Sequence, residues 1–236
     1  MAGITGRFPP WEAVYAFFQR WSQRGLPQRL VERLRGRLRT GLGREVQPSA
    51  AILDAQTVKA ADTVGAATRG FDSGKKINGR KRHIAVDVEG FLLAVVVTAA
   101  SVGDRIGAKL LVIALLNTCT RLKLIWADAG YDGKPLAGWV HAVARITLEV
   151  IKRTELHTFQ VVPRRWVVER SFGWLLRYRR LVRDYERRPE HHEAMVYWAT
   201  VMIMTRRLAR RPTDPPLRRR WGQPRTATRT PNPTPA

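Results

Sequence analysis

Two short apolar runs in this sequence each end in an aspartate: AILD ends at Asp54, and LIWAD ends at Asp128. Short apolar runs bounded by polar residues are typical of strands buried inside a sheet. A carboxylate is costly to bury alone, so it needs a hydrogen-bond donor, a cation or a metal as its partner. The pattern therefore predicts two buried strands that deliver carboxylates to a polar site.

The order of the predicted elements around these runs indicates a mixed α/β sheet covered by helices. Apolar residues at helical spacing predict two helices at the start of the chain, in WEAVYAFFQRW and PQRLVERLRGRLR. The runs RHIAVDV and FLLAVVVT flank Glu89-Gly90, which predicts an antiparallel hairpin. Further helices are predicted in GAKLLVIALLNTC, at 134–144, at 164–178 and from Pro189 to about Leu208, and further short strands in TLEVI and TFQVV.

Composition along the chain predicts three parts. Residues 1–48 are predicted to form an N-terminal helical segment, and residues 49–209 an α/β domain. Residues 210–236 are rich in Pro, Arg and Thr with almost no apolar side chains, which predicts a disordered basic tail.

The charge balance identifies the expected partner. The chain carries 42 Lys and Arg residues against 19 Asp and Glu residues, a formal net charge of +23. Such a charge predicts polyanionic partners, with nucleic acid first and an anionic membrane second.

The single cysteine, Cys119, excludes an intramolecular disulfide and a cysteine-based zinc finger. The start of the sequence lacks the apolar core of a signal peptide, and no apolar run approaches the roughly 20 residues that span a bilayer. We therefore expect a cytoplasmic, nucleoid-associated protein without a membrane anchor.

The two aspartates are expected to share one site. If their strands are parallel neighbours, both carboxylates lie at the same edge of the sheet. Two close carboxylates repel each other unless a cation separates them, and Mg²⁺ combines carboxylate ligands with substrate phosphates. In a strongly basic protein, this predicts metal-assisted chemistry on a phosphodiester. Glu169, one helical turn after Arg165, is the preferred third ligand. The other downstream acids weighed for this role are Glu149, Glu155, Asp184 and Glu186.

Each of these acids also has a plain structural interpretation. Asp54 and Asp128 taken singly have the pattern of turn or helix-capping residues, and Glu169 that of a surface salt bridge with Arg165. Asp132 is a rival to Asp128, while Asp87 and Asp104 are further acids without an assigned role.

A basic stretch, GKKINGRKRHIAVD, is predicted to lie in or near a loop that contacts the DNA backbone. The alternatives are a solvated loop, and an internal hydrogen-bonding role for its histidine. A second group of basic residues surrounds Glu169. The predicted DNA-contacting residues are Lys75, Lys76, Arg80, Lys81, Arg82, His83, Arg164, Arg165, Arg177, Arg179 and Arg180.

Four motifs, AILDAQTVK, GKKINGRKRHIAVD, LIWADAGYDG and PRRWVVERSFGWLLRYRRL, resemble those of bacterial insertion-sequence DDE transposases of the insertion-sequence-five type. The resemblance runs from about Phe8 to Leu208, and it implies that residues 1–48 bind DNA and that residues 49–209 are the catalytic domain. It implies a ribonuclease-H-like fold in which Asp54, Asp128 and Glu169 are the catalytic residues and metal ligands. It also implies two Mg²⁺ ions per site, or Mn²⁺ in their place, with Asp54 bridging them.

The resemblance further implies cleavage of insertion-sequence ends and strand transfer into target DNA. The partners would be double-stranded DNA, as terminal inverted repeats and target, and a second copy of the chain when DNA is bound. The sequence begins almost at FPPWEAVYAFFQRW, which predicts a shortened N-terminus. One alternative is therefore a DNA-binding remnant that does not cut. Another is a metal nuclease that acts on RNA–DNA hybrids and is built on the same fold.

Overall fold

A computed structural model of the chain describes residues 9–151 and 165–209, with the backbone alone for Arg165. Its strands are β1 (Ala50–Lys59), β2 (Gly70–Asp72), β3 (Ile77–Val86), β4 (Leu92–Ala99), β5 (Leu124–Ala127) and β6 (Thr147–Val150). Its helices are α1 (Trp11–Gln23), α2 (Leu26–Gly41), α3 (Asp104–Leu116), α4 (Lys134–Ala144), α5 (Arg165–Leu175), α6 (Arg179–Val182) and α7 (Pro189–Leu208). The predicted hairpin, the two N-terminal helices and the long final helix are confirmed.

The strands form one mixed sheet in the order β4-β3-β1-β5-β6, with β2 added against the start of β3. Strands β1, β3 and β4 are antiparallel, whereas β5 and β6 run parallel to β1. Helix α3 makes the crossover from the hairpin to β5, and α4 makes the crossover from β5 to β6. This arrangement confirms the predicted mixed α/β sheet flanked by helices.

Helices cover both faces of the sheet. Side chains alternate between the two faces along each strand, so neighbouring residues of a strand pack in different core clusters. Ala51 and Leu53 of β1 pack in a core cluster with residues of α3 and α4. Ile52 packs in a second core cluster with residues of α2, α5 and α7. By the same alternation, Asp54 belongs to the face that α5 and α7 cover.

Helix α2 shares the core of the sheet. Val31 is buried within the second core cluster, and Arg35 donates a hydrogen bond of 2.9 Å to the carbonyl of Leu92. Arg39, also buried, forms an ion pair with Asp87 at the end of the hairpin. These contacts fix α2 against the hairpin, while the boundary at residue 48 and a DNA-binding role for this segment stay predictions.

Two strands are longer than the sequence indicates. Strand β1 continues past Asp54 to Lys59, because β3 pairs with it as far as Gly79. Strand β3 begins at Ile77, so most of the predicted basic loop is a strand. The predicted strand TFQVV and the predicted tail at 210–236 lie outside the described residues. Across 9–151 and 165–209, no helix has the length and apolarity needed to cross a membrane.

Candidate active site at the open edge of the sheet

The candidate site lies where the parallel ladder between β1 and β5 stops. Ile52 pairs with Trp126 in the last registered position of this ladder. Asp54 and Asp128 each lie two residues further along, so the two carboxylates stand at equivalent positions on neighbouring chains. Strand β5 ends at Ala127, whereas β1 continues along β3. The expectation of neighbouring parallel strands is confirmed, and the expectation that Asp54 ends its strand is wrong.

Asp128 opens a short 3₁₀ turn, Ala129–Tyr131, which carries the chain away from the sheet. Its Oδ1 accepts a hydrogen bond of 2.9 Å from the N–H of Gly130. The turn interpretation of Asp128 therefore holds in the structure, but it does not conflict with a metal-binding role. A carboxylate that is fixed by a backbone donor presents its oxygens in a defined direction, as a metal ligand must.

Glu169 lies on the exposed side of α5. The adjacent Val168 is buried in the same core cluster as Ile52 and Trp126, so α5 packs on the sheet face that carries Asp54. Within the described parts of the chain, no three acidic, histidine or cysteine side chains stand close enough together to hold a metal ion. The structure thus aligns Asp54 with Asp128 but does not bring Glu169 into a three-residue cluster with them.

A buried tyrosine belongs to the same edge. Tyr131 is only 2% exposed, and its hydroxyl has no hydrogen-bond partner among the described residues. Burial raises the pKa of this hydroxyl, and the charges of Asp54, Asp104 and Asp128 raise it further. The hydroxyl therefore stays protonated near three carboxylates. Sequence reasoning passed over Tyr131, although it stands three residues after Asp128 in a quoted motif.

Asp104, a further acid without a role in the sequence analysis, also borders this edge. A Cβ atom built on Gly130 would lie 3.0 Å from Asp128 Oδ1 and 3.8 Å from Asp104 Oδ2. Asp104 Oδ1 lies 2.9 Å from the ammonium of Lys81. Its position as the first residue of α3 has the pattern of an ordinary helix start, which is why the sequence did not single it out.

Lys81 is held inside this cluster instead of projecting toward solvent. It is 8% exposed and donates hydrogen bonds to Asp104 and to the carbonyl of Val102, the latter at 3.1 Å. Its ammonium also lies 3.8 Å from Asp72. Its positive charge therefore neutralises acids at the rim of the site.

The structure corrects the predicted DNA contacts of Arg80 and Arg82, because both side chains are fully buried. Arg80 Nη1 lies 2.9 Å from Asp184 Oδ2. Arg82 is bound to Gln56 and donates a hydrogen bond of 3.0 Å to the carbonyl of Leu181. Burial lowers the pKa of Arg82 to about 10, which leaves it charged at neutral pH.

His83 is likewise internal, in agreement with the alternative interpretation of its role. It is fully buried, and its Nε2 lies 3.0 Å from Thr98 Oγ1. Burial lowers the pKa of His83 to about 4, against a smaller opposite effect of Asp104, so the imidazole is neutral at physiological pH. A neutral, buried imidazole does not contact a DNA phosphate.

The remaining basic predictions fall into two groups. Lys75 and Lys76 are exposed in the turn that joins β2 to β3. Arg177, Arg179 and Arg180 are exposed after α5, and Arg180 Nε lies 2.7 Å from Glu186 Oε1. These five residues stay candidates for DNA contact. Arg164 and the side chain of Arg165 lie outside the described residues.

The fold and its aligned carboxylates define a mixed α/β protein with an acidic edge. The Transposase DDE domain family matches residues 45–204, and the chain belongs to this family. The match spans Asp54, Asp128 and Glu169. Membership implies a divalent metal dependence, and the aligned carboxylates fit such an ion because carboxylate oxygens are the ligands that hard divalent cations prefer.

Two individual comparisons complete this assignment. The chain is 31% identical over 139 residues to a candidate transposase for insertion sequence element IS402 of Burkholderia cepacia. That match covers 56% of this chain and 65% of the relative, so the chain spans just under two thirds of the relative's length. The crystal structure of the catalytic core domain of BIV integrase is similar at 14% identity and a TM-score of 0.39, over 65% of this chain and 81% of that one.

Proposed function

We propose that this chain is a DNA transposase of the insertion-sequence-five type, which cleaves the ends of an insertion sequence and joins them to target DNA. The observation that carries the proposal is the alignment of Asp54 with Asp128, beyond the last pair of the β1–β5 ladder, in a domain of the transposase DDE family. The relative from Burkholderia cepacia, named for an insertion sequence element, supports the same function.

Asp54 and Asp128, together with Glu169 from α5, are the proposed ligands of two Mg²⁺ ions, for which Mn²⁺ can substitute. Such ions, when bound, activate the attacking oxygen and stabilise the leaving oxygen of a phosphodiester. The role of the chain is to hold the ligands rigidly. Asp54 is fixed inside β1, where it pairs with Ile84 of β3, and Asp128 is fixed by the turn that follows β5.

Double-stranded DNA is the proposed substrate, as terminal inverted repeats and as target. The net charge of +23 favours a polyanion, and the exposed Lys75, Lys76, Arg177 and Arg179 are the proposed phosphate contacts. Pairing of two element ends requires two active sites, so we propose a homodimer on DNA. The site of action is the bacterial nucleoid in the cytoplasm.

The test is cleavage of a labelled duplex that carries the element's own end, with Mg²⁺ or Mn²⁺. We expect the wild-type chain to cut at the end and Asp128→Asn to lose cutting, because the carboxylate charge that holds the metal is gone. Asp132→Asn is the matched control, since it removes a nearby acid from the far side of the 3₁₀ turn.

Each other outcome has a definite meaning. Equal cutting by the wild type and by Asp128→Asn would refute the proposed site. Loss of cutting in Asp132→Asn alone would move the second ligand to Asp132. End binding without cutting by the wild type would favour a remnant, and preferential cutting of an RNA–DNA hybrid would favour a hybrid nuclease.

A further inference from the structure

Helix α3 is apolar on its outer side as well as on the side that faces the sheet. Its residues 110–116, LLVIALL, contain no polar side chain and make about two turns. A helix that is apolar all round is normally buried on every side. Four large apolar side chains of α3 are nevertheless between 39% and 58% exposed. They are named the α3 face here: Ile106, Leu110, Ile113 and Leu116.

We propose that the α3 face is the contact surface for a second copy of this chain, related by a two-fold axis. The four side chains follow one another at helical spacing, so they form a continuous surface along the helix. In a two-fold contact each surface meets its own copy, so a purely apolar surface is complementary to itself. The inference rests on the proposed function, because the pairing of two element ends brings two copies together.

The cations of α3 are directed toward α4 and away from this face. Lys109 Nζ lies 5.3 Å from the centre of the Trp139 ring on α4. Arg105 extends toward the loop before α4, since a Cβ atom built on Gly133 would lie 3.7 Å from its Cζ. Two copies that each carry a formal charge of +23 repel each other over most of their surfaces. The α3 face therefore allows two copies to meet without bringing their cations together.

The surroundings of α3 favour a second copy over other occupants. The described chain stops before α1, between β6 and α5, and after α7. Helices α5 and α7 pack on the opposite face of the sheet from α3, and α1 lies against α7. DNA is a poor match for an apolar face, because its affinity comes from cations. A membrane-surface helix needs a polar, cationic side, whereas the inner side of α3 is core.

The size of the surface indicates a weak contact. The outer sides of α3 and the neighbouring α4 together measure about 350 Å² per copy, from a helix rise of about 1.5 Å and a width of about 10 Å. Stable interfaces bury about 800 Å² on each partner, and transient ones bury less. We therefore expect two free copies to associate weakly, and more tightly when paired DNA ends hold them together.

Sedimentation velocity of the full chain, alone and with a duplex that carries the element's own end, tests this contact. We expect the wild type to self-associate with rising concentration. Leu110→Glu should weaken this association by about 100-fold or more, because the two-fold axis places two unpaired carboxylates in an apolar contact. Its melting temperature should stay near that of the wild type, since Leu110 is exposed in the single chain.

Two further variants make the test specific. Ile113→Glu places the same charge one turn further along the α3 face and should have the same effect. Val14→Glu is the matched control, because Val14 is an exposed apolar residue on α1, outside the α3 face. We expect Val14→Glu to associate like the wild type.

The other outcomes would overturn the inference. A wild type that stays monomeric both alone and on DNA would do so, as would equal association of Leu110→Glu and the wild type. Loss of association in Val14→Glu alone would assign the contact to α1. If a monomeric wild type bound vesicles of anionic phospholipid and Leu110→Glu did not, the face would belong to a membrane contact.

The same variants separate this inference from the proposed function. If the wild type cuts the element's end as a monomer, the α3 contact is wrong and the proposed function stands. If association depends on Leu110 but the chain neither binds nor cuts the end, the α3 contact stands and the proposed function fails.

Discussion

The guanidinium of Arg80 and the carboxylate of Asp184 lie 2.9 Å apart, and neither side chain is exposed to solvent. Asp184 also lies 2.9 Å from Nδ1 of His192 and accepts a hydrogen bond of 2.8 Å from the N–H of Glu186. One buried carboxylate therefore ties β3, the loop after α6 and the start of α7 together. A buried pair of this kind is costly to break, because the remaining partner keeps its charge without compensation.

We expect Asp184→Asn to lower the free energy of unfolding by about 3–5 kcal/mol, because Arg80 stays buried and charged. Urea denaturation of both proteins measures this difference. Glu45→Gln is the control, since its ion pair with Arg121 is exposed; its effect should stay below about 1 kcal/mol. Similar small effects of both substitutions would contradict a structural role for the buried pair.

Alanine substitution at two helical glycines is expected to have opposite effects on stability. A Cβ atom on Gly107 of α3 would stand 2.0 Å from Cε1 of the buried His83 ring, whereas one on Gly138 of α4 has no neighbour within 4 Å. Gly107→Ala should destabilise the protein by about 1–3 kcal/mol through overpacking. Gly138→Ala should stabilise it by up to about 1 kcal/mol through helix propensity. Thermal unfolding compares the two variants, and a stabilising Gly107→Ala would show that the α3–β3 contact is looser than described.

Glu193 predicts a pH dependence of stability. Its Oε1 accepts a hydrogen bond of 2.8 Å from the N–H of Val97, and burial raises the pKa of Glu193 to about 7. The folded state therefore holds this proton more tightly than the unfolded state. The stabilisation is complete below the unfolded pKa near 4.5 and is lost as the pH rises through about 7.

Glu193→Gln keeps an acceptor for Val97 and removes this titration. Relative to the wild type, the variant should gain stability on the order of 1–3 kcal/mol between pH 5 and pH 8.5. Urea denaturation at both pH values measures the gain. A stability difference that does not change with pH would place the pKa of Glu193 near its ordinary value.

The exposed turn between β2 and β3 predicts a salt-dependent DNA contact. Lys75→Gln and Lys76→Gln should each lower affinity for a duplex and reduce the slope of log affinity against log salt by about 0.9. Lys123→Gln is the control, because this exposed lysine precedes β5 and so lies at the opposite end of the strand from Asp128. Fluorescence anisotropy across a salt series gives the slopes. An equal loss in all three variants would indicate an effect of total charge alone.

Local patterns in the sequence were sufficient for most of the architecture. The hairpin around Glu89-Gly90 and the helices were predictable because periodicity and turn residues act over a few neighbouring positions. The extension of β1 beyond Asp54 was not, since AQTVK is a strand only because β3 pairs with it. The alignment of Asp54 and Asp128 was predictable from the apolar runs that precede them. It required one assumption, namely that the two strands are parallel neighbours.

The burial of the basic stretch lay beyond sequence reasoning for a related reason. A run of arginine and lysine has the appearance of a solvated surface, but β3 sends alternate side chains to opposite faces. The partners of Arg80 and Arg82 are 104 and 99 residues away in the sequence, at Asp184 and Leu181. Nothing near the stretch indicates them. Tyr131 was missed because an aromatic residue in a core and one beside a site have the same local pattern.

The alignment of Asp54 with Asp128 also sets when the proposed enzyme can first exist. The two residues are separated by the whole hairpin and by α3, and Glu169 follows later still. A chain that is still emerging from the ribosome with β1 to β4 complete carries one carboxylate of the pair and no second strand to align it. Fragments that end before β5 are equally incapable. Under the proposed function, DNA cleavage therefore requires a chain that extends at least through β5 and α5.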